Sequence, residues 1–123
     1  MTNKTVLLVD DSSTTRVRHR ILITQKTNYK VDTASNGQEA VRKAVNESPG
    51  LILMDVMMPG MSGLEVCEAL RKDERTKRIP VVLLTFKTGE EFAKAGFESG
   101  CNEYMEKPVD EGELVRVLTK YLG

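Results

Sequence analysis

The sequence is poor in the residues that build metal-thiolate sites and disulfide frameworks. Among its 123 residues are only two cysteines and one histidine, and Cys67, Cys101 and His19 lie far apart with no CxxC pair. This spacing argues against a zinc motif and against a disulfide framework. We therefore expect Cys67 and Cys101 to be buried free thiols in a reducing compartment.

The sequence also lacks an excess of either charge and a long apolar run near its start. The 18 Lys and Arg residues balance 18 Asp and Glu residues, so the formal net charge is zero. This balance argues against the broad cationic surface that direct binding to nucleic acid or to an anionic membrane requires. The first apolar run, Val6–Val9, is too short for a signal peptide or a membrane span. We expect a soluble protein of the cytoplasm.

Short apolar runs alternate with segments of helical spacing along the chain. Three runs are typical of strands buried on both faces, and two mixed segments are typical of edge strands: Val6–Val9, Leu51–Met54, Val81–Leu84, Tyr29–Ala34 and Asn102–Met105. Apolar residues four apart, such as Val17 and Ile21, mark helices between them. The alternation predicts an α/β fold with a doubly wound, flavodoxin-like sheet of five parallel strands in the order 2-1-3-4-5 and five helices on both faces.

The length of the chain and its even composition favour one domain. A chain of 123 residues buries enough surface for a single core, and neither an internal repeat nor a Pro-, Gly- or Ser-rich linker interrupts it. The last predicted helix runs to Tyr121–Gly123. We predict a single domain over residues 1–123 without an output domain, so that the output lies in another molecule.

Acidic side chains stand at the ends of two predicted strands that are neighbours in this order. Asp10 and Asp11 follow the first strand, and Asp55 follows the third. One interpretation is that Asp10, Asp11 and the serines after them only cap a helix. The alternative is a cation site, because carboxylates at close quarters repel one another and oxygen ligands suit Mg²⁺ or Mn²⁺.

A hydroxyl group and an ammonium group arrive at the same edge of the predicted sheet. Thr85 directly follows the fourth strand, and Lys107 follows the fifth, immediately before Pro108. Both groups would stabilise the charge of a phosphoryl group during transfer. A cis peptide bond between Lys107 and Pro108 would fix the direction of the lysine.

These motifs together resemble the receiver domain of two-component response regulators. The resemblance covers essentially the whole chain and rests on four motifs in their order and spacing: Val9–Asp11, Asp55–Gly63, Thr85 and Lys107–Pro108. It implies that Asp55 is the phosphoacceptor. It also implies a magnesium ion on Asp10, Asp11, Asp55 and the backbone carbonyl of Met57.

The resemblance further implies a switch and a set of partners. Lys107 and Thr85 would contact the phosphoryl group, and Thr85 and Tyr104 would change conformation together. The surface of helix four, strand five and helix five would then bind an output protein. The phosphodonor would be a sensor histidine kinase or a phosphotransfer protein. The chain would be a monomer or a weak dimer that catalyses only its own phosphorylation and dephosphorylation.

Three positions near the expected site either depart from the family pattern or correspond to positions that set the rate of acyl-phosphate hydrolysis in the family. Phe86 stands where the family usually has a small residue, so its ring could restrict phosphodonor access or join the switch. Met57 and Lys87 stand where the family tunes hydrolysis of the acyl phosphate. His19 is expected as a solvated side chain on helix one, which makes the chain a receiver rather than a donor of phosphoryl groups.

Two other functions are compatible with parts of the sequence. A pseudo-receiver with the same fold would bind partners without phosphorylation, and Phe86 is the feature that favours it. A flavodoxin-like protein would hold the phosphate of a flavin on Ser12–Thr15 at the start of helix one. The adjacent acidic pair, an aromatic content of 5% and the absence of tryptophan argue against flavin binding.

Overall fold

The computed structural model describes residues 3–86 and 90–123, and side chains are described for 3–86 and 93–123. Strands and helices alternate along the chain as predicted. Their bounds are β1 Thr5–Val9, α1 Ser13–Lys26, β2 Lys30–Ala34, α2 Gly37–Glu47, β3 Leu51–Asp55, α3 Gly63–Lys72, β4 Val81–Thr85, α4 Glu90–Glu98, β5 Glu103–Glu106 and α5 Glu111–Leu122.

The five strands form one parallel sheet in the order β2-β1-β3-β4-β5, which confirms the predicted fold class. Every residue of β3 and β4 is buried, whereas the edge strands β2 and β5 are mostly half-buried. An interior strand is covered on both faces and reads as a continuous apolar run, and an edge strand tolerates polar residues. The sequence pattern therefore distinguished the interior strands from the edges.

The core has two layers because successive side chains of each strand point to opposite faces of the sheet. One layer lies between the sheet and helices α1 and α5, where Ile23 and Leu118 are fully buried. The other lies between the sheet and helices α2 and α3, where Ala44 and Leu70 are fully buried. Among the described residues, no helix is long and apolar enough to cross a membrane.

Both cysteines are buried free thiols, as predicted. Burial raises the pKa of the Cys101 thiol to about 11 and also raises the pKa of Cys67. A thiol with a raised pKa carries little thiolate at neutral pH and is a poor nucleophile. These residues therefore fill the core layer beside α3.

Helix α1 turns a different face to the core from the one expected. His19 is 8% exposed and packs inward with Ile23, whereas Val17 and Ile21 remain 56% and 49% exposed. The expectation of a solvated histidine was wrong. The pairs at positions 17 and 21 and at positions 19 and 23 have the same four-residue spacing, so periodicity alone does not choose between the two faces.

The buried imidazole of His19 makes stability dependent on pH. Its Nδ1 is buried and has no hydrogen-bond partner among the described residues, and burial lowers the pKa of His19 from 6.5, although the charge of Asp10 acts in the opposite direction. The unfolded chain binds this proton near pH 6.5 and the folded chain binds it less readily. The free energy of unfolding contributed by this residue therefore falls as the pH drops below that value.

We predict that His19→Leu removes part of the acid sensitivity of the fold. Between about pH 7.5 and about pH 5.5, the free energy of unfolding of the wild type should fall by up to about 1.4 kcal/mol more than that of the variant. The reason is that His19 gains a proton in the unfolded chain but stays neutral in the folded chain. Urea unfolding followed by circular dichroism at both pH values measures the difference. All carboxylates are common to the two proteins, so their contributions cancel. Equal losses in the two proteins would show that His19 does not titrate differently on folding.

Candidate functional site

Three carboxylates meet at the carboxyl edge of the sheet, between the neighbouring strands β1 and β3. Val9 pairs with Met54, so Asp10 and Asp55 come next in register, and Asp11 follows. One carboxylate oxygen from each of the three side chains lies within 4.8 Å of the other two. Asp10 and Asp55 are 2% and 6% exposed, while Asp11 is exposed at the mouth of the cluster. This set of oxygen donors suits a hard divalent cation.

Lys107 places its ammonium group against two of these carboxylates. Its Nζ lies 3.0 Å from Oδ2 of Asp55 and 3.5 Å from Oδ2 of Asp10, and the lysine side chain is 11% exposed. The backbone N–H of Lys107 donates to the carbonyl of Thr85 at 2.8 Å, which fixes the residue beyond the end of β5. The peptide bond between Lys107 and Pro108 is cis. The site therefore combines two buried carboxylates with a buried ammonium group.

The protonation of Asp55 reflects competing effects. Burial raises its pKa from 3.8, the hydrogen bond and the charge of Lys107 lower it, and the charge of Asp10 raises it again. The backbone N–H of Met57 also donates to Oδ1 of Asp55 at 3.3 Å and favours the ionised form. A raised pKa in a carboxylate means a more basic and more nucleophilic oxygen once the proton is lost.

Backbone contacts hold Asp10 in place, and sequence reasoning missed one of them. The N–H of Ser12 donates to Oδ1 of Asp10 at 2.9 Å, and Nη1 of Arg16 donates to the carbonyl of Asp10 at 2.6 Å. Arg16 lies six residues after Asp10, and no motif in the sequence marks this contact.

The helix-cap interpretation of the acidic pair does not describe the start of α1. Ser12 is the N-cap residue, and its hydroxyl accepts from the backbone N–H of Thr15 at 3.3 Å and from the hydroxyl of Thr15 at 3.2 Å. The carboxylates of Asp10 and Asp11 are therefore not required as caps. Both carboxylates instead form part of the acidic cluster with Asp55.

The other predicted site residues lie at different distances from the cluster. Thr85 is the last residue of β4 and is fully buried, opposite Glu106. Met57 is 60% exposed next to Asp55 in the chain. Tyr104 is half-buried on β5 and pairs with Leu83, which places it two residues before the edge. Lys87 lies outside the described residues.

Phe86 lies over the ammonium group of the site. Its ring centroid is 5.3 Å from Nζ of Lys107, within the range of a cation–π contact, and the ring is 73% exposed. Phe86, Lys107 and His19 line part of a cavity of about 290 Å³ beside the site. The position that departs from the family pattern therefore contacts the site directly.

Comparison with known protein families and sequences gives consistent matches. The family model described as the response regulator receiver domain matches residues 6–119. The transcriptional regulatory protein ResD of Bacillus subtilis is 40% identical over 115 residues, which are 93% of this chain and 46% of ResD. Protein PilH of Pseudomonas aeruginosa is 36% identical over 118 residues, which are 96% of this chain and 97% of PilH. The chain thus spans about half the length of ResD and nearly all of PilH.

Solved structures of the same shape support these matches. The chemotaxis protein CheY4 of Vibrio cholerae superposes with a TM-score of 0.89 at 33% identity, covering 98% of this chain and 100% of CheY4. The receiver domain of the sensor histidine kinase PA1611 of Pseudomonas aeruginosa superposes with a TM-score of 0.89 at 27% identity, covering 99% of both chains. That receiver domain is described with a magnesium ion coordinated in its active site cleft.

We predict that Mg²⁺ stabilises the fold through the acidic cluster. A cation at about ten times its Kd contributes about 1.4 kcal/mol, which raises Tm by about 3–6 °C for a domain of this size. Asp11→Asn should abolish most of this increase without loss of core packing, because Asp11 is exposed. Glu106→Gln, at the same edge of the sheet but outside the cluster, should keep it. Thermal unfolding with Mg²⁺ and with NaCl at equal ionic strength measures the effect, and equal shifts in wild type and Asp11→Asn would contradict the site.

Proposed function

The chain belongs to the response regulator receiver domain family, and from that premise we propose that it is a phosphorylation-dependent signalling switch in which Asp55 accepts the phosphoryl group. The observation that carries the proposal is the buried carboxylate of Asp55, 3.0 Å from the ammonium group of Lys107 and beside Asp10 and Asp11. Receiver domains are signalling proteins. We propose that this one catalyses only its own phosphorylation and dephosphorylation.

The oxygen donors at the carboxyl edge of the sheet fit a magnesium or manganese ion. Asp10, Asp11, Asp55 and the backbone carbonyl of Met57 would hold it. When bound, the ion supplies positive charge that offsets the repulsion between the carboxylates and the phosphoryl oxygens. The magnesium described in the PA1611 receiver domain supports this assignment.

The transfer reaction forms an oxygen–phosphorus bond and breaks a nitrogen–phosphorus bond. A carboxylate oxygen of Asp55 attacks the phosphorus atom of a phosphohistidine on a sensor kinase or phosphotransfer protein. The electron pair of the broken bond stays on the imidazole nitrogen, and Asp55 becomes an acyl phosphate. Water later attacks the phosphorus atom, which releases inorganic phosphate and restores the carboxylate.

Lys107 and Thr85 act on the two charge states of Asp55 in this scheme. Before transfer, the ammonium group of Lys107 keeps the buried carboxylate ionised and therefore nucleophilic, in spite of the desolvation that raises its pKa. After transfer, the ammonium group pairs with phosphoryl oxygens. The hydroxyl group of Thr85, at the end of β4, donates to another of these oxygens.

Signal output rests on two conformations that bind the phosphoryl group differently. Thr85 moves toward the phosphoryl group, and Tyr104 turns inward on the neighbouring strand. The surface of α4, β5 and α5 then changes its affinity for an output protein. The phosphoryl group must interact more favourably with one conformation than with the other by about 5.5 kcal/mol to raise that conformation from about 1% to about 99% of the population. Contacts with a buried phosphoryl charge supply energies of that order.

The match to PilH favours a regulator that acts as a receiver domain alone. We propose a single receiver domain over residues 1–123, acting in the cytoplasm as a monomer or weak dimer without direct binding to nucleic acid or membrane. The match to PilH over nearly its whole length supports this proposal. The match to ResD, which covers about half of that protein, supports the same fold as one part of a longer regulator.

A second candidate function is that of a pseudo-receiver, which would bind partners without being phosphorylated. The position of Phe86 favours it, because the exposed ring contacts Lys107, whose ammonium group is paired with Asp55. We propose that three positions control the access of the phosphodonor and the lifetime of the acyl phosphate: Met57, Phe86 and Lys87. The complete set of Asp10, Asp11, Asp55, Thr85 and Lys107 favours a competent site.

We predict that the chain gains one phosphoryl group when it is incubated with acetyl phosphate and Mg²⁺. Intact-mass analysis should show the adduct in the wild type and in Glu106→Gln, because Glu106 lies outside the cluster. Asp55→Asn should show none, since it lacks the nucleophile, and chelation of the metal should abolish the adduct in the wild type. No adduct in the wild type and none in Phe86→Ala would refute phosphorylation, whereas an adduct in Phe86→Ala alone would assign the block to the ring.

A further inference from the structure

Two aromatic rings meet at the surface between α4 and β5. The centroids of Phe97 and Tyr104 are 5.9 Å apart, and their planes cross at 71° in an edge-to-face arrangement. Phe97 is 52% exposed, while Tyr104 is half-buried against the core layer beside α2 and α3. Such a pair is an attractive contact in addition to the apolar area that it buries.

The close approach of α4 to the sheet brings these rings together. Gly96 precedes Phe97, and a Cβ atom at Gly96 would lie 3.4 Å from Sγ of Cys101 and 3.8 Å from Leu83. At these distances a methyl group would make ordinary van der Waals contacts, so this turn of α4 lies directly beside β4 and the segment that leads into β5. The next residue, Phe97, lies at the edge of the core, where its ring packs against the ring of Tyr104.

The strand register places Tyr104 on the same face of the sheet as Thr85. Tyr104 is opposite Leu83 on the neighbouring strand, and Leu83 and Thr85 are two residues apart. Side chains of paired residues, and of residues two apart along a strand, point to the same face. The tyrosine ring is thus one step along the sheet from Thr85 on that face, with Phe97 on its surface side.

We propose that Phe97 is a positioning residue for Tyr104 and sets the threshold of the switch. The inference rests on the proposed function, in which phosphorylation moves the tyrosine ring from the surface toward Thr85. That movement separates the ring from Phe97, so the edge-to-face contact opposes it. The contact stabilises the unphosphorylated conformation of the chain.

The size of the effect follows from the strength of an aromatic pair. Such a pair contributes enough to change a two-state equilibrium by about two- to tenfold. A phosphoryl mimic that prefers the switched conformation binds more weakly by the same factor when the unswitched conformation dominates. Removal of the Phe97 ring should therefore tighten binding of the mimic.

Calorimetric titration with beryllofluoride in the presence of Mg²⁺ tests the proposal. Phe97→Ala should bind the mimic about two- to tenfold more tightly than the wild type. Phe97→Tyr keeps the ring and should bind as the wild type does. Phe97→Leu keeps apolar bulk without the ring and should bind more tightly, which provides a second variant if Phe97→Ala unfolds.

A double-mutant cycle shows whether Phe97 acts through Tyr104. In a Tyr104→Ala background, Phe97→Ala and Phe97→Leu should change the affinity by less than about twofold, because the partner ring is gone. Two results would overturn this inference but not the proposed function. One is that Phe97→Ala and Phe97→Leu both bind the mimic no more tightly than the wild type. The other is that these substitutions raise the affinity by the same factor in the Tyr104→Ala background. No binding of the mimic by the wild type overturns the proposed function and this inference with it.

Discussion

The ion pair between Lys107 and Asp55 is the interaction on which the site depends. Two carboxylates, Asp10 and Asp55, are almost completely buried, and the ammonium group lies 3.5 Å and 3.0 Å from them. Charges taken out of water cost several kcal/mol each unless they are paired, and removal of one partner from a buried pair leaves that cost uncompensated. Lys107 thus offsets the cost of burying two charged carboxylates, and in the proposed function the same ammonium group receives the phosphoryl charge.

The order of the strands brings these groups together. The chain crosses from β1 to β3 and onward to β4 and β5, so the ends of four neighbouring strands present Asp10, Asp55, Thr85 and Lys107 at one edge. A parallel sheet directs all its carboxyl ends to the same side, where ligands bind in doubly wound folds. One buried apolar layer on each face of the sheet supports the strands that end at this edge. In the proposed switch, the half-exposed pair of Phe97 and Tyr104 is the contact that changes.

The sequence predicted the sheet and the acidic cluster because each leaves a local signal. Continuous apolar runs mark the buried strands, and the residues that follow them must lie at the carboxyl edge. The orientation of α1 was not predictable in this way, because the pair Val17 and Ile21 and the pair His19 and Ile23 have the same spacing. The contact between Phe97 and Tyr104 depends on how closely α4 packs on the sheet. That distance is a property of the tertiary structure and has no periodic pattern in the sequence.

A crystal structure of the chain grown with Mg²⁺ and beryllofluoride tests the central claim most directly. The account predicts a beryllium atom bonded to a carboxylate oxygen of Asp55, fluorine atoms contacted by Lys107 and Thr85, and a magnesium ion held by Asp10 and Asp11. An ordered site in which Asp55 is unmodified at saturating beryllofluoride, with Lys107 still paired to its carboxylate, would contradict it.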